Sequence, residues 1–191
     1  MTKQQLRKQF LEKRQALEAD TWQENSQAIC QNFFNYFDLG GIKKLHIFLP
    51  ILKQNEINTR LIIQQVFQNS PEITLVTSKS DFKTSRMESY QLDADTKIVE
   101  NRWGIPEPVA AVKCPDDTID MILMPLLCFD KQGYRVGYGK GFYDRFLQQR
   151  CRTDIIKIGL SQFDPVNEID DVNEYDVKLN YCVTNDRVWR Y

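Results

Sequence analysis

Residues 133–144 read Gly-Tyr-Arg-Val-Gly-Tyr-Gly-Lys-Gly-Phe-Tyr-Asp, and four of the chain's eight glycines stand between Gly133 and Gly141. Glycine tolerates positive φ and lets a ligand approach the main chain without meeting a Cβ. Set between a buried strand and a helix, such a loop presents backbone N–H groups and a helix N-terminus to an anion. Arg135 and Lys140 bring positive charge to the same place. The expected ligand is a phosphate group. Lys140 is followed by Gly141 rather than Ser or Thr, which breaks the Walker pattern, and Phe142 stands where the dinucleotide fingerprint needs glycine. The competing reading is a plain surface turn after a strand. Asp144 also has two readings: an acid in a helix's first turn that stabilises the dipole, or a ligand for Mg²⁺, which takes one or two carboxylates plus phosphate oxygens.

A second set of candidates lies at the N-terminus. At about 100° per residue, Lys3, Arg7 and Arg14 point within about 40° of one another, bordered by Leu6, Phe10 and Leu17 on one side and Leu11 on the other. These cations sit in the apolar face of the helix. An unpaired buried charge costs several kcal/mol, so an anion is expected to meet them. Glu18, four residues after Arg14, is a local candidate for one of them. Side chains reaching from the core rim to water are the alternative. Glu56 falls in a strand-to-helix loop, where α/β proteins place ligand contacts, or is simply a solvated acid. Trp103, beside Gly104 and Pro106, is suited either to stacking on a flat heterocycle or to plugging the core. Asp176 is one of many acids in 164–176.

Other chemistries are thinly supplied. The single histidine, His46, lies in an apolar run and reads as structural, which leaves no His-rich metal site and no credible Ser/His or Cys/His pair. The five cysteines, Cys30, Cys114, Cys128, Cys151 and Cys182, never form a C-x-x-C pair and suit reduced thiols in the cytoplasm.

The elements that must position these residues follow from periodicity and punctuation. One helix is expected from Thr2 to Ala19 and a second starting at a Thr21-x-x-Glu24 capping box. Residues 59–68 read as a helix, and another is expected from Phe142 to Gln149. Strands are expected at Leu45–Leu49, Ile73–Thr77, Met87–Leu92, Ile119–Leu127 (the most apolar and central), Ile155–Leu160 and Tyr181–Thr184. Gly133–Gly141 reads as loop. Strands alternating with helices predict a mostly parallel sheet covered on both faces, in a single domain over 1–191.

Composition agrees. The chain has 191 residues, 42% of them hydrophobic, and a formal charge of −1. A globular core is expected, and no global positive field exists to attract nucleic acid. The N-terminus lacks the apolar region of a signal peptide, and no run reaches the ~18 apolar residues of a membrane span. A cytoplasmic monomer acting on small molecules, with neither nucleic acid nor membrane as partner, is the expectation.

Together these segments resemble the 5-formyltetrahydrofolate cyclo-ligase family. Arg135 to Arg145 is similar to the family's R-L-G-x-G-x-G-Y-Y-D signature, with Phe142 in place of the usual tyrosine. Lys3-x-x-Leu-Arg7, Phe48-Leu-Pro50 leading to Glu56, Trp103-Gly-Ile-Pro-Glu-Pro108, and Met124-Pro125 followed by Phe129-Asp130 occur in the family's order. The resemblance implies a three-layer α/β sandwich like that of ribose-phosphate isomerases and CoA transferases. It implies ATP- and Mg²⁺-dependent conversion of 5-formyltetrahydrofolate to 5,10-methenyltetrahydrofolate, with release of ADP and phosphate. By the same resemblance Lys3, Arg7, Arg135, Val136, Gly137, Tyr138, Gly139, Lys140, Gly141, Phe142 and Tyr143 contact ATP. Leu49, Glu56 and Trp103 line the folate pocket, with Tyr138, Gly139, Lys140, Gly141 and Phe142 shared between the ligands. Asp144 and Asp176, with Asp170 or Asp171 as alternatives to the latter, hold magnesium, and Lys140 is the catalytic cation. A catalytically idle folate- or nucleotide-binding regulator and a sugar-phosphate isomerase are the rival functions.

Overall fold

The structure, a computed structural model, describes residues 1–191. Four helices are present: α1 (Lys3–Gln15), α2 (Ala19–Tyr36), α3 (Arg60–Asn69) and α4 (Phe142–Gln149). The strands are β1 (Lys44–His46), β2 (Thr74–Asp81), β3 (Arg86–Gln91), β4 (Ile98–Glu100), β5 (Pro106–Pro108), β6 (Lys113–Cys114), β7 (Met121–Pro125), β8 (Cys128–Phe129), β9 (Arg135–Val136), β10 (Ile156–Leu160), β11 (Tyr181–Val183) and β12 (Val188–Arg190). Eight strands form the central sheet in the order β12-β11-β10-β7-β1-β2-β3-β6. The five from β11 to β2 run parallel, and antiparallel strands close both edges.

Side chains alternate across this sheet, so each strand feeds two cores. Leu45, Leu75, Met121, Leu123, Ile158 and Leu160 pack with Ile29 and Phe33 of α2 and Ile62 and Val66 of α3. Val76, Ile122, Met124 and Cys182 point the other way, onto Phe146 and Leu147 of α4. Each such fully buried aliphatic or aromatic side chain contributes roughly 1.5–3 kcal/mol. The result is the expected helix–sheet–helix layering around a mostly parallel sheet. A third cluster joins Leu6 and Phe10 of α1 to Leu127, Cys128 and Val136 beside the β8–β9 ribbon. That packing carries the cationic face of α1 to the glycine-rich segment.

Several boundaries differ from the sequence expectation. The first helix starts behind Thr2, which forms a capping box with Gln5, but stops at Gln15 instead of continuing to Ala19. The Asn55 amide takes the carbonyls of Arg14 and Leu17 at 3.1 and 3.4 Å, satisfying helix-end acceptors from a distant loop. The second helix begins at Ala19 with Glu18 as N-cap, so Thr21 and Glu24 lie inside it and form no cap. Its entry is set by Trp22, whose indole donates to the Glu56 carbonyl at 2.8 Å. The glycine-rich stretch is not all loop, because Arg135–Val136 pairs with β8. The central strand is shorter than Ile119–Leu127, and β4, β5, β6, β8 and β12 fall where no strand is expected from the sequence. No helix is long and apolar enough to cross a membrane.

Candidate active site

From β1 the chain runs outward to β2 and β3, then returns to β7 on the opposite side of β1. Ligands of open α/β sheets bind at such a switch point, beyond the carboxyl ends of the strands. A cavity of about 470 Å³ opens there. Its walls include Phe48 and Leu49 after β1, Thr77, Ser78 and Ser80 of β2, and Pro125 at the end of β7. Most of the residues singled out from the sequence line it: Lys3, Arg7, Leu49, Glu56, Trp103, Arg135, Val136, the run Gly137 to Asp144, and Asp176, whereas Arg14, Asp170 and Asp171 do not. Residues from both ends of the chain therefore meet in one hollow.

The glycine-rich wall is held open by two arginines. Gly139 and Gly141 have φ of +88° and +64°, the region where a side chain is strained. Arg7 Nε donates to the Gly137 carbonyl at 2.9 Å, and its guanidinium lies against Gly139 so closely that a Cβ there would meet Cζ at 2.9 Å. On the far side Arg145 donates to the carbonyls of Lys140 and Ser85. Gly141 is the N-cap of α4 and offers no side-chain cap, so the first N–H groups of that helix are free for a ligand.

The charges are unequally partnered. Lys3 bonds Asp176, and Arg135 pairs with Asp144 at 2.8 Å. Arg7 and Lys140 make no ion pair at all. The anion that the α1 face demanded is thus supplied for Lys3 by Asp176, while Arg7 meets only a carbonyl. Two cations and a row of main-chain donors remain for an incoming polyanion.

The two acids fit a magnesium site of the phosphate-sharing kind. Asp144 Oδ1 accepts from Arg135 and from the Val177 N–H at 3.0 Å, next in sequence to Asp176. Asp176 Oδ2 accepts from Lys3 and from Asn173 N. Each carboxylate is fixed through one oxygen, and the other oxygen has no protein partner. No group of three or more His, Cys, Asp or Glu side chains is assembled anywhere, so a closed protein cage is out. Two carboxylates beside an anion cradle suit Mg²⁺. The alternatives are engaged elsewhere: Asp171 accepts the Lys3 N–H and Asp170 pairs with the N-terminal amine.

The opposite wall is flat and aromatic. Trp103 is 46% exposed and packs on Phe82 with ring centroids 4.1 Å apart, so it walls the cavity and plugs no core. Glu56 is not a solvated loop acid. It is 3% exposed and accepts from Ile51 N at 2.7 Å and from the Tyr138 hydroxyl. Burial pushes its carboxyl above the usual range, opposed by those two hydrogen bonds and by Arg14. His46 is structural: burial holds it near a pKa of about 4, and Nε2 meets Ser78 Oγ at 3.2 Å. Burial raises the thiols of Cys30, Cys128 and Cys151 to about 11, 12 and 12, which leaves them poor nucleophiles.

Sequence reasoning missed Phe82, which carried no signal, and misassigned the partner of Arg14. Arg14 stood out as a cation in an apolar face, but Glu18 is the cap of α2, and Arg14 turns instead to Tyr138 and Gln54.

Residues 1–185 match the 5-formyltetrahydrofolate cyclo-ligase family. The chain belongs to that family. It is an enzyme of a ligase family. The 5-formyltetrahydrofolate cyclo-ligase of Escherichia coli is 27% identical over 182 residues, which cover 94% of this chain and 98% of the relative. The solved 5,10-methenyltetrahydrofolate synthetase of Aquifex aeolicus superposes with a TM-score of 0.82 at 27% identity, covering 100% of this chain and 93% of that one. The Mycoplasma pneumoniae synthetase gives 0.73 at 26% identity, over 97% and 99% of the two chains.

Proposed function

We propose that this chain converts 5-formyltetrahydrofolate to 5,10-methenyltetrahydrofolate, with ATP consumed to ADP and phosphate. One observation carries the reading: a single cavity joins an anion cradle with two unpaired cations, Arg7 and Lys140, to a flat pocket walled by Trp103 and Glu56. The relatives' names supply the substrate. ATP is the co-substrate that such a ligase uses to drive ring closure.

The chemistry needs an activated formyl oxygen, because the oxygen of a formamide is a poor leaving group. In the proposed sequence the formyl oxygen attacks the γ-phosphorus, the bond to the β–γ bridging oxygen breaks, and ADP leaves. The N10 amine then adds to the formyl carbon and loses its proton. Cleavage of the carbon–oxygen bond releases phosphate and leaves the methenyl bridge. Phosphoryl transfer asks mainly for positioning and charge neutralisation. Lys140 and the main-chain N–H groups of Gly137–Phe142 are suited to meeting the transferring group, and Lys3, Arg7 and Arg135 hold the nucleotide end or its neighbours in register. Leu49, Trp103 and the ring of Phe142 keep the heterocycle in place, and closure becomes intramolecular. Asp144 and Asp176 would hold Mg²⁺ through their unpartnered oxygens, and the ion would supply charge neutralisation at the phosphates.

Residues 1–191 are taken to work as one domain and one monomer, since both chain ends and the middle contribute to the cavity. The five unpaired thiols suit a reducing cytoplasm. The test follows the near-ultraviolet absorbance of the methenyl product on mixing protein, Mg-ATP and 5-formyltetrahydrofolate. Product without ATP, or none with it, would reject the reading, and the latter would favour an idle binding protein.

A further inference from the structure

Arg14 is 2% exposed, yet Glu56 at 4.0 Å is the only acid within ion-pair range. Its Nη2 instead donates to the Tyr138 hydroxyl at 2.5 Å and reaches Gln54 Oε1 at 3.4 Å. A guanidinium can only donate. The Tyr138 oxygen is therefore the acceptor in that bond, and its one proton is left for Glu56 Oε1, to which it is bonded. Glu56 Oε2 accepts from Ile51 N. A carboxylate has about four acceptor sites, and two of these have no protein partner. Arg14 thus sets the direction of a relay that starts in α1, passes through the nucleotide loop and ends at the folate wall.

We propose that Arg14 is a positioning residue of the reaction: acting through Tyr138, it holds Glu56 as an acceptor for the amino-bearing edge of the folate ring and ties the nucleotide loop to that wall. The proposal rests on the function proposed above. The titratable and charged groups facing Glu56 are Arg14 from α1, Tyr138 from the loop and Tyr143 at the start of α4. Arg14 is the single cation among them. Burial already pushes Glu56 up, and removing Arg14 takes away one of the three influences that pull it down. Glu56 then takes a proton at higher pH, and a protonated acid offers the substrate ring one acceptor fewer.

The test compares Arg14→Met, Arg14→Gln and Arg14→Lys with the parent. The readout is the pH profile of kcat/KM for 5-formyltetrahydrofolate at saturating Mg-ATP, with thermal melting alongside. In the Met and Gln variants the acidic limb should move to higher pH, with activity lost on that limb and recovered above it. Arg14→Lys should keep the limb near that of the parent. In a Glu56→Gln background, Arg14→Met should add little further loss. A loss by one factor at every pH, or the full Arg14→Met loss reappearing beside Glu56→Gln, overturns the proposal. Should Arg14→Met fail to fold, the Gln and Lys pair makes the same comparison, since Gln is polar but carries no charge. A parent that never turns over 5-formyltetrahydrofolate removes the functional reading and this role with it. A working parent with an unmoved limb in the variants removes only the role of Arg14.

Discussion

Gly139→Ala isolates the backbone shape of the glycine-rich loop from its charge. Gly139 has φ of +88°, where an L-residue costs roughly 1–2 kcal/mol. The new Cβ would lie 2.9 Å from Arg7 Cζ and 3.0 Å from Nε, so the guanidinium must swing away. Doing so gives up the 2.9 Å bond from Arg7 to the Gly137 carbonyl. A hydrogen bond from a charged donor contributes roughly 1.5–3 kcal/mol, and partial exposure favours the lower end. The total is roughly 2.5–3.5 kcal/mol, or a Tm lower by about 5–14 °C for a chain of this length. Melting curves with and without Mg-ATP provide the assay. The nucleotide-induced rise in Tm should shrink, because a displaced Arg7 and a bent loop bind the triphosphate less tightly. Gly137→Ala is the control. Its φ is not positive and nothing lies within 4 Å of the added carbon. It should melt within about 0.5 kcal/mol of the parent yet raise the KM for ATP, because its methyl intrudes on the cradle. A Gly139→Ala protein that melts like the parent, with an undiminished nucleotide shift, would refute the reasoning.

Lys140→Ala should lower kcat by about 10²–10³ while Tm stays put, since Lys140 makes no ion pair and no side-chain hydrogen bond; near-normal turnover would count against its role. Asp144→Asn should raise the Mg²⁺ concentration needed for half-maximal rate, and an unchanged metal titration would remove Asp144 from the site. His46 is fully buried and held at a pKa of about 4, below its ordinary 6.5. The unfolded chain binds this proton first, so the residue's contribution is full above about pH 6.5 and is lost as pH falls toward 4, by about 3 kcal/mol. Urea denaturation across that window should give a flatter curve for His46→Asn than for the parent; coincident slopes would reject the neutral buried ring.

Sequence alone was enough for whatever depends on neighbours along the chain. Glycine spacing, the apolar runs and the helix from Phe142 to Gln149 are local matters of φ, periodicity and capping, and α4 has the expected bounds. The cations on one face of α1 were legible because their positions differ by multiples near a helical turn. What decided their roles was not local. Arg14 meets Tyr138 across 124 residues, Tyr138 meets Glu56 across 82, and Lys3 meets Asp176 across 173. A buried guanidinium takes whichever acceptor the packed cores bring to it, and here Glu18, the near neighbour, became a helix cap instead. The end of α1 was set in the same way, by an amide from Asn55 that no helical pattern contains. Residue types and spacing named the chemistry available; the sheet order, by returning β7 to the side of β1, brought its parts within bonding distance.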